Sequence, residues 1–277
     1  MTDLFAHKSF HGVTLPFFAL AGPDVIEDEV RPGQTLEFAR RLKAIGEEVG
    51  IPLAFKVSYD KANRTGVDSF RGPGLARALE LFREIRREVG VPLLSDVHRF
   101  EEIEPAAEVL DILQVPAFLS RQTDLVVEIA RTGRIVNWKK GQFIGPRDVE
   151  HALSKMTSAG NERIILTERG YMFGYNNMVV DMRGFPIMKQ FGYPVVIDAT
   201  HSIQLPSGAG GKSGGERQFV ATIAQAAVAA GADGAFMETH ADPEIALCDG
   251  PNMIPMHRVG ALLKRLKAIH ALVREGA

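Results

Sequence analysis

Eight short apolar runs, most of them separated by segments of helical period, constrain this chain more than any other feature. The runs are Phe17–Ala21, Leu53–Val57, Leu93–Val97, Ile112–Val115, Ile135–Trp138, Ile164–Leu166, Val195–Ile197 and Ala235–Met237. Helix-period segments lie at Thr35–Val49, Leu75–Val89, Gln122–Arg131, Arg147–Met156, Gly215–Ala230 and Val259–Val273, several of them closed by Gly or Pro. Strand and helix alternating eight times predict a parallel (β/α)8 barrel of the TIM type. An open doubly wound sheet alternates in the same way, but it usually meets its ligand on a glycine-rich turn after the first strand. Here Gly22-Pro23-Asp24-Val25 follows instead. No Pro/Ser-rich hinge or low-complexity run divides the 277 residues, so a single domain over 1–277 is expected. Phe5 to Val13 is expected to form a small hairpin closing the bottom of the barrel.

Barrels of this kind gather reactive residues at the carboxyl ends of their strands. In chain order those ends carry Asp24, then Lys56 with Lys61 and Arg64, Asp96 with His98, Gln114, Lys139, Glu168 with Arg169, His201, and Glu238 with Asp249. Any one of them could be the polar cap of a buried strand; eight at once point to a site. The stretch Phe55–Arg64 is the most telling, because only Asp60 opposes Lys56, Lys61 and Arg64. Cations crowded at a strand-to-loop junction repel unless an anion joins them, and Lys and Arg are the usual partners of phosphate and carboxylate. With Arg121, Lys139 and Arg169 the cations exceed what one phosphate needs. They suit a pair of phosphorylated substrates, one of which also bears a carboxylate.

Asp24, His201, Glu238 and Asp249 form a second constellation, a mixed nitrogen and oxygen set that suits Mn²⁺, Fe²⁺ or Zn²⁺. Three carboxylates this close would repel without a cation; the alternative is that a proton or Lys61 relieves the charge. The segment Ser207–Glu216 looks like a phosphate loop, but Pro206 stands where a Walker A motif needs glycine. It reads as a flap over the site or an ordinary flexible loop, with Thr239–Asn252 as a second such segment. Asp96 can orient His98 toward substrate. His240 reads as structural, Trp138 as barrel wall, and Met172, Met178, Met182 and Met188 as core filler. Cys248 has no neighbour that makes it a nucleophile.

Composition narrows the partners. A net charge of −2 predicts no global attraction to nucleic acid or an anionic membrane, so anion binding has to be local. A single cysteine cannot form an internal disulfide, which fits a reducing compartment. The N-terminus has no apolar signal region and no run is long enough to span a membrane. A cytoplasmic protein is expected.

The word Lys61-Ala62-Asn63-Arg64, preceded by Phe55-Lys56 and followed by Ser69-Phe70-Arg71-Gly72, resembles the 3-deoxy-D-manno-octulosonate 8-phosphate synthase family. Further pieces recur in order, among them Ala21-Gly22-Pro23, Ser95-Asp96-Val97-His98, Gln114-Val115-Pro116-Ala117-Phe118, Arg121-Gln122-Thr123-Asp124, Lys139-Lys140-Gly141-Gln142, Asp198-Ala199-Thr200-His201 and Cys248-Asp249-Gly250-Pro251. The resemblance implies that Lys56, Lys61, Lys139 and Arg169, with Gln114 nearby, hold phosphoenolpyruvate. It implies that Asn63 and Arg64 hold arabinose 5-phosphate, and that Arg121 reaches into the site of a neighbouring subunit in a homotetramer. His201, Glu238 and Asp249 match the metal ligands of metal-dependent members. Asp24 departs from the pattern, since those members carry cysteine there and metal-independent ones asparagine. Lys61 is then expected to polarise the sugar aldehyde, while Asp249 on the metal side or the Asp96–His98 pair takes the proton from water. The implied reaction belongs to lipopolysaccharide synthesis. Two rivals are a 3-deoxy-D-arabino-heptulosonate 7-phosphate synthase acting on erythrose 4-phosphate, in which Ala62-Asn63 would usually be Pro-Arg, and a non-catalytic sugar-phosphate sensor.

Overall fold

A computed structural model describes residues 4–206 and 214–275. Eight parallel strands form the barrel: β1 Phe18–Gly22, β2 Leu53–Lys56, β3 Leu93–Asp96, β4 Ile112–Val115, β5 Ile135–Lys139, β6 Ile164–Glu168, β7 Val195–Asp198 and β8 Gly234–His240. Each pairs with the next, and β8 closes the ring on β1 with Gly22 opposite Glu238. Eight helices pack outside: α1 Gln34–Val49, α2 Leu75–Glu88, α3 Phe100–Val109, α4 Thr123–Arg131, α5 Val149–Ser158, α6 Gly184–Lys189, α7 Val220–Ala229 and α8 Met256–Glu275. No helix among the described residues is long and apolar enough to cross a membrane.

Strand side chains alternate between barrel interior and helix layer. Phe18, Leu20, Ala54, Leu94, Ile112, Ile135, Ile165, Val196 and Phe236 point inward and form one apolar cluster. The intervening positions pack against the helices in the larger cluster. Two residues further along each strand, the inward set becomes Gly22, Lys56, Asp96, Gln114, Asn137, Thr167, Asp198 and Glu238. Pleat parity therefore lays a polar storey directly on an apolar one, at the carboxyl end where the site belongs.

Gly22 is the tight point of that storey. A Cβ there would lie 1.8 Å from the Lys56 carbonyl oxygen, so only glycine lets β1 and β2 approach closely enough to put Asp24 beside Lys56.

The expected hairpin at Phe5–Val13 is not formed. Leu4–Ala6 is a single 3₁₀ turn and the following residues are irregular. The bottom is closed all the same, because Leu4, Phe5, Phe10 and Leu15 join the interior cluster. Phe10 N–H donates to the Glu162 carbonyl, and Arg163 donates to the carbonyls of Phe5 and His7. Two helices had no counterpart in the periodic segments: α3, which carries Pro105 inside it, and the six-residue α6. The segment expected to be helical from Gly215 starts at Val220 instead, since Gly214–Gly215 pairs antiparallel with Gln204–Leu205. Met178 and Met188 are core and Met182 packs against it, but Met172 is exposed on a short hairpin after β6. The segment 207–213 of the expected flap lies outside the described residues.

Candidate active site

The polar storey and the loops above it enclose a pocket of about 200 Å³ at the barrel mouth. Of the residues expected at the site, Lys56, Lys61, Asn63, Arg64, Asp96, His98, Gln114, Lys139, Arg169, His201, Glu238 and Asp249 all line it. Asp24, almost wholly buried, sits just behind Lys61.

The basic cluster is not unopposed, as the local sequence suggested. Asp60 turns away to pair with Arg71, and the opposing carboxylates are Asp24 after β1 and, from the far end of the chain, Glu238 and Asp249. Lys56 Nζ donates to Glu238 Oε1 at 2.6 Å and to the Asp24 carbonyl at 3.0 Å. Lys61 Nζ meets the Asp24 carboxylate and lies 3.9 Å from Glu238. Arg64 lies 3.5 Å from Asp249 and also contacts Cys248. The pairing of β1 with β2 supplies Asp24 and the closure of β8 on β1 supplies Glu238, so a reading of one short window could not contain them. Burial alone would raise the Glu238 pKa, but His201, Lys56 and Lys61 bring it down to about 2. Burial alone would lower that of Lys61, yet Asp24 and Glu238 hold it well above the usual lysine range.

A second network crosses the pocket floor. Lys139 Nζ lies 2.5 Å from Asp198 and 4.1 Å above the Phe236 ring. Asp198 also holds His201 Nδ1 at 2.8 Å. That contact leaves Nε2 of His201 facing Glu238 and Asp249, at 3.6 and 3.8 Å, in the arrangement by which a carboxylate orients a metal-ligating imidazole. Burial would raise the Asp198 pKa; His201 and Lys139 hold it well below the ordinary range. Lys139 and Arg169 are both pulled below their usual values by burial, so an anion arriving between them relieves a cost. Arg169 meets Gln204, and Gln204 meets Asp249. Gln114 accepts from Asn137, whose own oxygen accepts from Thr167.

Asp24, His201, Glu238 and Asp249 each offer one ligand atom, and these atoms lie within 4.8 Å of one another. Asp24 Oδ2 and Glu238 Oε2 are buried with no hydrogen-bond donor to meet them among the described residues. Orphaned carboxylate oxygens facing an oriented imidazole fit a divalent cation.

His98 Nε2 lies 2.8 Å from Asp96, and its ring stands nearly perpendicular to that of Tyr59. Glu102, which lay outside the expected set, accepts from the Tyr59 hydroxyl at 2.8 Å beneath it. Burial alone would lower the His98 pKa, but Asp96 and Glu102 raise it above the ordinary value. The favoured form is the charged one. The pair therefore contributes its full stability below about pH 6.5 and loses it as pH rises through the elevated value. In a histidine Cε1–H NMR titration His98 should keep its proton above the pH at which free histidine loses it, and Asp96→Asn should bring its midpoint below that pH. A wild-type midpoint at or below the ordinary value would remove this role for Asp96.

Two expectations need correction or relocation, those for Glu168 and Arg121, while the structural reading of His240 agrees with its contacts. Glu168 has outward parity and leaves the site: it pairs with buried Lys140 at 3.4 Å and accepts from Gly170 N–H at 2.5 Å. His240 is structural, with Nδ1 against Asp242 and its ring on Phe38. Arg121 does not line the mouth pocket of its own chain. It is exposed and lines a separate hollow with Lys155, His151 and Phe143. Asp198, Gln204 and Asn137 were not anticipated as site residues, although all but Gln204 follow from the inward parity of their strands.

The sequence from residue 4 to 275 matches the DAHP synthetase I family. The chain is 59% identical over 259 residues, 94% of both chains, to the 2-dehydro-3-deoxyphosphooctonate aldolase of Geotalea uraniireducens. Proteins of the same name from Geobacter sulfurreducens and Geobacter metallireducens are 59% and 57% identical, over 94% and 95% of this chain. Matched by the family model over nearly its whole length and 57–59% identical to these relatives, the chain belongs to the DAHP synthetase I family, within its 2-dehydro-3-deoxyphosphooctonate aldolase branch.

Proposed function

We propose that this protein condenses phosphoenolpyruvate with D-arabinose 5-phosphate and water, giving 3-deoxy-D-manno-octulosonate 8-phosphate and inorganic phosphate for lipopolysaccharide synthesis. The observation that carries this reading is the cationic rim of Lys56, Lys61, Lys139 and Arg169 over one pocket, in a chain so similar to enzymes of that name. C3 of the enol attacks the sugar aldehyde, whose oxygen takes a proton. Water adds at C2, and the C2–O bond to phosphate then breaks, leaving the ketone. Lys139 and Arg169, cations held in a dry pocket, meet the carboxylate and phosphate of phosphoenolpyruvate. Lys61 reaches in from the β2 loop to polarise the aldehyde, and Asn63 and Arg64 on the same loop hold the sugar hydroxyls and terminal phosphate. Asp96 and His98 stand across the pocket, placed to hand over a proton. A divalent ion held by Asp24, His201, Glu238 and Asp249 would add a positive centre that orients the aldehyde or the water.

The direct test is phosphate release from phosphoenolpyruvate with either sugar phosphate, with and without chelator. Arabinose 5-phosphate should be preferred by kcat/KM by at least about a hundredfold, since a pocket built to bind a hydroxyl rejects ligands lacking it. Chelator should abolish turnover and Mn²⁺ restore it. Preference for erythrose 4-phosphate would overturn the substrate assignment, and full activity in excess chelator the metal requirement.

The exposed position of Arg121 supports a homo-oligomer, a tetramer by family resemblance, in which it completes a neighbour's site. Mixing Arg121→Ala protein with Lys139→Ala protein under conditions that exchange subunits should recover activity, because some sites then combine intact residues from two chains. No recovery in demonstrably mixed assemblies would rule out the shared site. A cytoplasmic location goes with this reading.

A further inference from the structure

Lys56 and Lys61 face the same two carboxylates but are held differently. Lys56 is buried on β2 and bonded to both the Asp24 carbonyl and Glu238. Lys61 lies on the loop, its side chain 12% exposed, and its near contact is the Asp24 carboxylate. Glu238 lies at 3.9 Å from it. Asp24 and Glu238 are also half of the four-residue ligand set. A divalent ion bound there would sit against the Lys61 ammonium, and two cations at such separations inside a protein repel strongly. Lys61 meets Asp24 at Oδ1 and the ligand set needs the same buried carboxylate, so an arriving ion and the ammonium are forced onto one small group.

We propose that Lys61 is a built-in competitor for the metal site, an internal cation that neutralises Asp24 until a divalent ion takes its place and turns the lysine toward the pocket. This rests on the metal half of the reading above and adds a regulation of it. Metal entry frees the ammonium that the sugar aldehyde needs, and an anionic ligand drawing Lys61 away favours metal entry in return. The metal site and the electrophile are thereby coupled through one carboxylate.

The test is calorimetric titration of metal-stripped, full-length protein with Mn²⁺, with no turnover involved. Lys61→Met and Lys61→Gln should each bind Mn²⁺ about tenfold or more tightly than wild type. Lys139→Met removes a charge that lies by Asp198 rather than Asp24, and should change affinity less than about threefold. Equal affinity in wild type and both Lys61 variants would overturn the competition while leaving the metal site standing. Tightening by Lys139→Met as large as that by Lys61→Met would overturn it too, as a diffuse field effect. No Mn²⁺ binding by any of the proteins would overturn the competition together with the metal site.

Discussion

Lys139→Met should lower kcat/KM for phosphoenolpyruvate by about three orders of magnitude. A charge-assisted contact to a substrate anion in a dry pocket supplies roughly 3–4 kcal/mol of transition-state binding, at 1.36 kcal/mol per tenfold. A second loss runs through the protein. Asp198, wholly buried, keeps only His201 and the Thr200 hydroxyl as partners. Breaking one side of a buried ion pair costs about 3–5 kcal/mol when nothing else meets the charge; with His201 in place, a loss of about 2 kcal/mol in unfolding free energy is expected. Adding Asp198→Asn should recover much of that stability and none of the activity, because the substrate's partner is still missing. Urea midpoints and steady-state kinetics on the same preparations separate the two effects. Retention of kcat/KM within tenfold in Lys139→Met would show that the ammonium does not contact substrate.

Gly22→Ala is the second change with a large effect. The clash is with backbone, the Lys56 carbonyl at 1.8 Å from the added carbon, and both strands are held in register by their other neighbours. Overpacking a well-filled core costs about 1–3 kcal/mol when side chains can give way; here they cannot, so about 3 kcal/mol or more is expected. For a chain of this size that lowers Tm by about 6–12 °C. Activity should fall further than stability does, since the strain separates Asp24 from Lys56 at the point where they meet. Gly33→Ala is the comparison: its φ is +79° but an added carbon meets nothing within 4 Å, so about 1–2 kcal/mol of backbone strain is the whole cost. Equal Tm shifts for the two variants would mean that the β1–β2 approach is not tight.

Much of this architecture is legible in the sequence. Every strand run landed within two residues of a barrel strand at its start, because β strands buried on both sides read as unbroken apolar runs. Helix α3 escaped because Pro105 breaks the pattern that marks a helix, although it falls in the second turn, and α6 escaped because six residues hold too few turns for periodicity. The site residues were found by their place after each run, but that criterion ignores which way a side chain points. Lys139 and Lys140 are adjacent and look alike; one lines the mouth pocket and the other is buried against Glu168 and the Tyr171 ring. Counting two from each inward apolar residue would have separated them, rejected Glu168 and found Asn137, Thr167 and Asp198. The carboxylate partners of Lys56 and Lys61 were the hardest to see, because Glu238 is remote in sequence and meets them only when the ring closes.

That closure also governs how the chain must be made. β1 leaves the ribosome early, yet one of its edges stays open until β8 emerges more than two hundred residues later, and the apolar plug around Phe10 has no finished socket until then. Folding dominated by such distant pairings is slow, and unpaired edges invite association with other chains. A nascent chain halted before Gly234 would present a sticky, incomplete sheet to chaperones and proteases. Synthesis of β8 is therefore the step on which solubility turns.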